Sequence, residues 1–285
     1  MRCLILLFAA LAWAASNAQR VGLLGCGETL RDQTYRDVLQ AHGLQVVWIT
    51  PYYQLIDATS LQQCEVVVLT PVQGAFNMPV HTQSILEQWV LSGGGMVTVE
   101  WTLWYLRQAN YFVGLSSLLP ATAQPFTQQR EVRYTQQTPD PILNAGLDTM
   151  LQLGFLKETY LRAVSDATVF YASDYAPNSV GVAGWQVGSG RTISFSVAIG
   201  TDSLSEITRM PGSLLLANAV RWAANSACSL SQGDVNRDGC TDDADLLSVL
   251  FQFGATAPTD ADVNCDGVVD DADLLEVLFR FGTGC

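Results

Sequence analysis

Glu65-Val66-Val67-Val68-Leu69-Thr70 is a continuous apolar run of β-branched residues with no polar alternation. That composition predicts a strand buried on both faces, the environment of a parallel sheet covered by helices. Working outward, strand and helix signals alternate. Val21–Gly25 reads as a strand, Thr34–His42 as a helix stopped at Gly43, and Leu44–Ile49 as a second strand. Val80–Leu91 reads as a helix broken by Gly93-Gly94-Gly95, and Met96–Glu100 as a fourth strand. Further strands are predicted at Thr168–Ala172, Val180–Val187 and Thr192–Ala198, with a closing helix over Pro211–Asn225. Such alternation predicts an α/β unit over residues 19–226, with a parallel sheet flanked by helices.

Charge divides the chain differently. The formal net charge is -13, and 12 of the 27 acidic residues lie from Cys228 onward against two of the 14 basic ones. The remainder is close to neutral, so an acidic module of residues 227–285 follows the α/β unit. Lys157 is the single lysine, and no basic stripe exists, which excludes nucleic acid as a partner. Residues 1–18 read as a signal peptide. Arg2 precedes a short apolar run, and Ser16 and Ala18 are the small residues of a cut after Ala18. The run is too short for a stable membrane span, so a secreted or cell-envelope location is expected.

The acidic module is a duplication. Gly233-Asp-Val-Asn-Arg-Asp-Gly-Cys-Thr-Asp-Asp-Ala-Asp245 recurs 28 residues later as Ala261-Asp-Val-Asn-Cys-Asp-Gly-Val-Val-Asp-Asp-Ala-Asp273, and a short apolar helix follows each copy. Calcium takes six to eight oxygen ligands, and each copy supplies them at the spacing of a 12-residue calcium loop. In the first, Asp234, Asn236 and Asp238 hold positions 1, 3 and 5. Gly239 makes the turn, Cys240 offers its carbonyl, Asp242 stands at position 9 and Asp245 closes the shell. The second repeats this with Asp262, Asn264, Asp266, the carbonyl of Val268, Asp270 and Asp273. Two calcium ions are expected. Without a cation, so many clustered carboxylates repel one another. Leu246, Leu247, Leu250 and Phe251, and their counterparts Leu274, Leu275, Leu278 and Phe279, lie at helical spacing. They are expected mainly to form a shared core between two mutually packed helices.

The duplicated Asp-x-Asn-x-Asp-Gly loop, ending in Asp and lacking a preceding helix, resembles type I dockerins over Gly233–Gly282. The resemblance implies a small α-helical module of paired F-hand calcium loops, and docking to a cohesin-type or cell-envelope protein. Where cellulosomal dockerins usually carry Ser/Thr-type contacts, this chain has Asp243-Ala244 and Asp271-Ala272.

Six cysteines remain after Cys3 leaves with the signal peptide, an even number that permits disulfides in an exported chain. Cys228 and Cys285 bracket the module, while Cys240 and Cys265 each lie within a loop. The expected pairing is therefore Cys228–Cys285 with Cys240–Cys265. Cys26 and Cys64 fall at opposite ends of predicted strands and are expected to stay unpaired.

Leu86–Glu100, Gly190–Ser196 and Leu214–Trp222 resemble the equivalent stretches of class I glutamine amidotransferase-like domains, including the ThuA-like group. This implies a flavodoxin-like parallel sheet. It also places Cys26, Glu28, Thr70, Gln73, Glu100 and Trp101 together at the carboxyl edge, where such sheets bind ligands. The glutaminase Cys is absent, because Glu100-Trp101 occupies its turn. The His pattern of the ThuA-like group is absent too, with Gly200-Thr201 at the later strand end. His42 reads as a helix-end residue and His81 has no evident partner. Cys26 and Glu100 are the remaining weak catalytic candidates, Cys26 reading more simply as a small buried residue. Trp101, Trp104, Tyr105, Tyr111 and Phe112 lie near the expected site mouth, as core residues or as a platform for carbohydrate. Two readings follow: a non-catalytic domain carried by an attachment module, favoured by the missing nucleophile, or a hydrolase in polysaccharide catabolism.

Overall fold

Val66 and Val68 turn to one face of a nine-stranded sheet, and Val67 and Leu69 to the other, all four fully buried. This period-two division is what a pleated strand imposes. The computed structural model describes residues 19–27, 29–49, 51–71, 76–197, 208–224, 233–236, 238–255, 261–263 and 268–285; the side chain of Glu100 lies outside that set, as does the signal peptide. The strands are β1 (Arg20–Leu24), β2 (Gln45–Trp48), β3 (Val66–Leu69), β4 (Gly95–Thr98), β5 (Ala121–Gln136), β6 (Met150–Ala163), β7 (Thr168–Ser173), β8 (Val180–Val187) and β9 (Gly190–Phe195). Their order is β2-β1-β3-β4-β9-β8-β7-β5-β6.

The helices are α1 (Leu30–Ala41), the single turn α2 (Ala58–Leu61), α3 (Val80–Leu91), α4 (Glu100–Ala109) and α5 (Gly212–Ala224). A 3-10 segment, Val113–Leu118, follows α4. Tyr35 and Leu39 of α1 pack with Leu215, Leu216, Ala219 and Val220 of α5 on one face. Leu86 and Val90 of α3, Leu103 of α4 and Leu115 and Leu118 pack on the other. His42 caps α1, its carbonyl accepting from Arg221 Nη2 at 2.5 Å, and His81 is an exposed residue in the first turn of α3.

The fully parallel expectation holds for half the sheet. β2, β1, β3, β4 and β9 run parallel, but β9-β8-β7-β5-β6 pair antiparallel. β5 and β6, the two longest strands, were not predicted. β5 carries Gln, Thr and Arg along an exposed face and has no continuous apolar run. It is stabilised by cross-strand pairing with β6 rather than by burial on both faces. The fourth strand also ends earlier than expected, at Thr98, so that Glu100 opens α4. The antiparallel half curls until β6 meets the end of β9. Glu158 bridges Val197, and Thr159 N–H donates to the Ser196 carbonyl at 2.9 Å.

The acidic module contains α6 (Asp243–Phe251) and α7 (Asp271–Phe279). Val235, Val249, Ala261, Val263, Val269 and Val277 form its core, with Leu246 and Leu274 at its margin. The helix stripes are less buried than expected. Leu247, Leu250 and Phe251 are 48, 52 and 85% exposed, and Leu275, Leu278 and Phe279 are 49, 52 and 82% exposed. Nine-residue helices have about two and a half turns each, and Val249 and Val277 occupy the contact between them.

The duplication is visible in the backbone. Gly282 N–H donates to the Thr241 carbonyl (2.7 Å), and Thr241 N–H to the Thr283 carbonyl (2.9 Å). Twenty-eight residues away, Gly254 N–H donates to the Val269 carbonyl (2.8 Å), and Val269 N–H to the Ala255 carbonyl (2.9 Å). The chain leaving each helix thus pairs with the exit of the other repeat's loop. This ladder overturns the expected cysteine pairing. It carries the chain end alongside the first loop, so Cys240 is bonded to Cys285 with the Cα atoms 4.5 Å apart. Cys228 and Cys265 lie outside the described residues. Cys26 and Cys64 are free, as expected.

Candidate functional site

Three places assemble polar side chains: the carboxyl edge of the parallel strands, the closure of β6 onto β9 and the first acidic loop. At the carboxyl edge the chain leaves β1 through Gly25, against which the carboxylate of Asp32 sits; a Cβ there would lie 2.1 Å from Asp32 Oδ1. Asp32 is fully buried. Its Oδ2 accepts from Cys26 N–H (3.0 Å) and Thr29 N–H (3.2 Å), closing a capping box on α1, while Oδ1 has no partner among the described residues. Cys26 Sγ lies 3.9 Å from the Thr70 carbonyl oxygen at the end of β3. Thr70 Oγ1 and Thr102 Oγ1, the latter in the first turn of α4, are buried without partners among the described residues.

Burial, and then the charge of Asp32, push the Cys26 thiol up to about 11, with Arg31 only partly opposing. At neutral pH it is therefore a thiol, whereas nucleophilic catalysis needs the thiolate. Cys26 is half-buried rather than buried as expected, packed at the margin of the core. Glu28 and Gln73 lie outside the described residues.

The aromatic residues form a connected wall along this rim. Trp101 stacks on Tyr105 (5.6 Å between centroids), and Tyr105 on Tyr111 (5.7 Å). Phe112 continues the wall to Tyr52 (5.9 Å), Tyr53 and Phe76. Lys157 Nζ lies 4.8 Å from the Trp101 ring centroid, a cation–π pair. Trp101 and Phe112 are core residues, Trp104, Tyr105 and Tyr111 are half-buried, and Phe76 is exposed. The wall is thus core at its base and surface at its lip.

A second cluster lies where β6 closes onto β9, and sequence reasoning missed it. Glu158 is fully buried. Ser173 Oγ (2.5 Å) and Ser196 Oγ (2.7 Å) donate to its Oε1, and Arg130 Nη1 (2.7 Å) to its Oε2. The Tyr134 hydroxyl lies 2.8 Å from Ser196 Oγ, and Arg130 also pairs with Asp174 at 2.7 Å. Burial raises the Glu158 pKa, with the three donors pulling against it. The available signal was an acid inside the Leu151–Leu161 alternation. It could be read only once that segment was recognised as a strand.

In the acidic module, Gly239 turns the first loop at φ +94°, a conformation that favours glycine. Asp234 accepts from the N–H groups of Asp238 (3.1 Å) and Gly239 (2.9 Å), and Asn236 Oδ1 accepts from Asp238 N–H (2.9 Å). Asp245 is fully buried, its two oxygens accepting from Asn236 N–H (2.9 Å) and Asp242 N–H (2.8 Å). Asp242 and Asp270 cap α6 and α7. Asp262 and Asp273 are buried, while Asn264 and Asp266 lie outside the described residues. Among the described residues no three carboxylate, thiol or imidazole side chains gather into a group that could hold a metal ion. The donor set and backbone path still fit calcium: all-oxygen side chains, a glycine turn at position 6, and a buried position-12 carboxylate anchored to the loop backbone. Asp234, Asn236, Asp238 and Asp245 would hold the ion, with the Cys240 carbonyl.

Neither a protein family nor a curated protein matches the sequence. Solved structures match the fold. A ThuA-like protein from Parabacteroides merdae superposes with a TM-score of 0.55 at 13% identity, covering 73% of this chain and 90% of its own. A ThuA-like protein from Bacteroides uniformis gives 0.55 at 13%, covering 73% and 91%. Cytoplasmic protein STM3548 from Salmonella typhimurium gives 0.54 at 12%, covering 72% and 98%. The chain therefore carries a ThuA-like α/β fold. No helix among the described residues is long and apolar enough to cross a membrane.

Proposed function

We propose that this is a secreted two-module protein. In this reading its dockerin-like tail binds two calcium ions and attaches the chain to a cohesin-type or cell-envelope protein, while its ThuA-like domain binds rather than catalyses. The observation that carries the reading is the duplicated set of loop oxygens, repeated at an offset of 28 residues on a backbone ladder that repeats with it. Calcium supplies the charge that offsets these carboxylates and so orders the tail. The exposed helix residues Leu247, Leu250, Phe251, Leu275, Leu278 and Phe279 support a docking role, since contiguous exposed apolar surface marks interaction sites. A non-catalytic α/β domain accords with the protonated Cys26 and the absent glutaminase Cys.

The test is a pull-down of secreted and envelope fractions on the mature protein. Capture of a cohesin-like or envelope protein with calcium and its release by chelator are expected; no capture with calcium contradicts the attachment role, and capture indifferent to calcium contradicts its calcium dependence. A second reading, a hydrolase acting on extracellular polysaccharide, is favoured by the aromatic wall at the carboxyl edge. If glycan-degrading activity is found, Glu100→Gln should abolish it, and retained activity removes Glu100 from that role.

A further inference from the structure

Lys157 is the one lysine of the chain. It lies midway along β6, where the pleat turns it away from its neighbour Glu158 and toward α4. The strand is pinned at that point. Glu158 is held by Arg130, Ser173 and Ser196, and Thr159 N–H donates to the Ser196 carbonyl. The ammonium is thus delivered to a fixed place, 4.8 Å from the Trp101 ring centroid. Trp101 is 2% exposed while Lys157 is half-buried, so the indole backs the ammonium from the core side. No carboxylate pairs with Lys157 among the described residues, whereas Arg20, Arg36, Arg130 and Arg280 each have one.

The same corner has other groups that suit a negative charge. α4 starts behind Val99, whose apolar side chain cannot cap the first N–H groups, and such helix starts attract anions. Thr102 in that first turn and Thr70 at the end of β3 are fully buried, their hydroxyls without partners among the described residues. Buried hydroxyls of this kind call for a water or a ligand oxygen. The buried carboxylates of this region are already answered, Asp32 by the N–H groups of Cys26 and Thr29 and Glu158 by Arg130. Beyond Trp101 the rim continues through Tyr105 and Tyr111, with Phe76 exposed at its lip, apolar surface of the kind that packs against the C–H face of a sugar ring. Charge limits the anion. The chain carries a net charge of -13, which repels densely charged polymers, and one lysine matches one carboxylate.

We propose, on the reading of the α/β domain as a binding domain, that its carboxyl edge takes a glycan bearing isolated uronic acid residues, with the Lys157 ammonium holding the uronate carboxylate. The aromatic rim supplies affinity for sugar of either kind. Lys157 supplies the preference for the acidic one, through a charge-assisted hydrogen bond.

The test uses the full chain and two matched probes: a xylo-oligosaccharide carrying a single glucuronic acid, and the same molecule with that carboxyl reduced to an alcohol. In calorimetric titration the wild type should favour the acidic probe by about 10-fold, the scale of one hydrogen bond to a charged group. Lys157→Met keeps an apolar stem on Trp101 and removes the charge. It should erase that preference and leave the affinity for the neutral probe unchanged, which also shows that the variant is folded. Lys157→Arg should restore the preference. Equal affinity of the wild type for the two probes overturns the proposal, as does a preference that survives in Lys157→Met, or binding of neither probe. Tighter binding of a heavily sulfated oligosaccharide than of the acidic probe overturns it in favour of a polyanion site. Chromatography of the same samples separates this outcome from the reading beneath it: release of shorter sugars overturns the non-catalytic domain, while the Lys157 comparison still decides the carboxylate site.

Discussion

The α/β body and the acidic tail solve the same problem with different means. The body buries two apolar layers, one on each face of its sheet, built from Val, Leu, Ile and aromatic side chains of α1, α3, α4 and α5. Among the described residues the tail's apolar core is six small side chains, five of them valines, together with a disulfide and carboxylates bonded to backbone N–H groups. Small modules rarely hold together on a core of that size without staples or a metal. The difference teaches where each region is vulnerable: packing holds the body, whereas the tail leans on its covalent linkage and its backbone-bonded carboxylates, and in the proposed reading on calcium.

The largest expected effect separates the two regions outright. Chelation combined with reduction should abolish amide protection throughout α6 and α7 while leaving β1, β3 and β4 protected. Hydrogen exchange read by mass spectrometry measures this, and equal loss in both regions would erase the contrast.

Next comes a buried ion pair of the body. Glu158→Ala strands Arg130, Ser173 and Ser196 at the closure of β6 onto β9, and breaking a buried pair costs about 3–5 kcal/mol. Arg130 keeps Asp174 and is 20% exposed at its side chain, so the lower end applies. Urea melts of the body should show that loss, with the tail's calcium uptake unchanged.

Smaller still is the pH dependence of the same group. Burial raises its folded pKa above the unfolded value, so the folded state holds the proton more tightly. Its contribution to stability is therefore greatest below the unfolded value and declines as pH rises through the raised folded one. Glu158→Gln should remove that decline, which melts at a series of pH values from about 4 upward would register.

The smallest effect returns to the tail. Asp242→Ala or Asp270→Ala removes an N-cap with its capping box and should cost about 1 kcal/mol in the calcium-free protein, where urea melts read the cap alone. The two variants should match closely, as the duplicated geometry demands.

Legibility in the sequence followed the same division of forces. Val66–Leu69 announced a doubly covered strand because burial on both faces demands an unbroken apolar run. The helix ending at His42-Gly43 was equally plain. β5 escaped, since a strand solvated on one side and held by its partner can be Gln- and Thr-rich. With it went the register that buries Glu158 and the antiparallel half of the sheet. At the carboxyl edge, the gathering of Cys26 with Thr70 followed from the parallel order alone. The exposure of Phe251 and Phe279 did not, because helical spacing defines a stripe without saying what covers it. The Cys240–Cys285 bond depended on the ladder that folds the chain end back onto the first loop, a long-range contact that cysteine spacing does not encode.

The central claim is that the tail is a calcium module, and isothermal titration of the oxidised full chain with calcium tests it most directly. The account predicts uptake of two ions per chain, accompanied by a rise in the tail's melting temperature and none in that of the body. Absence of any binding heat, with the tail melting unchanged by calcium, would contradict it.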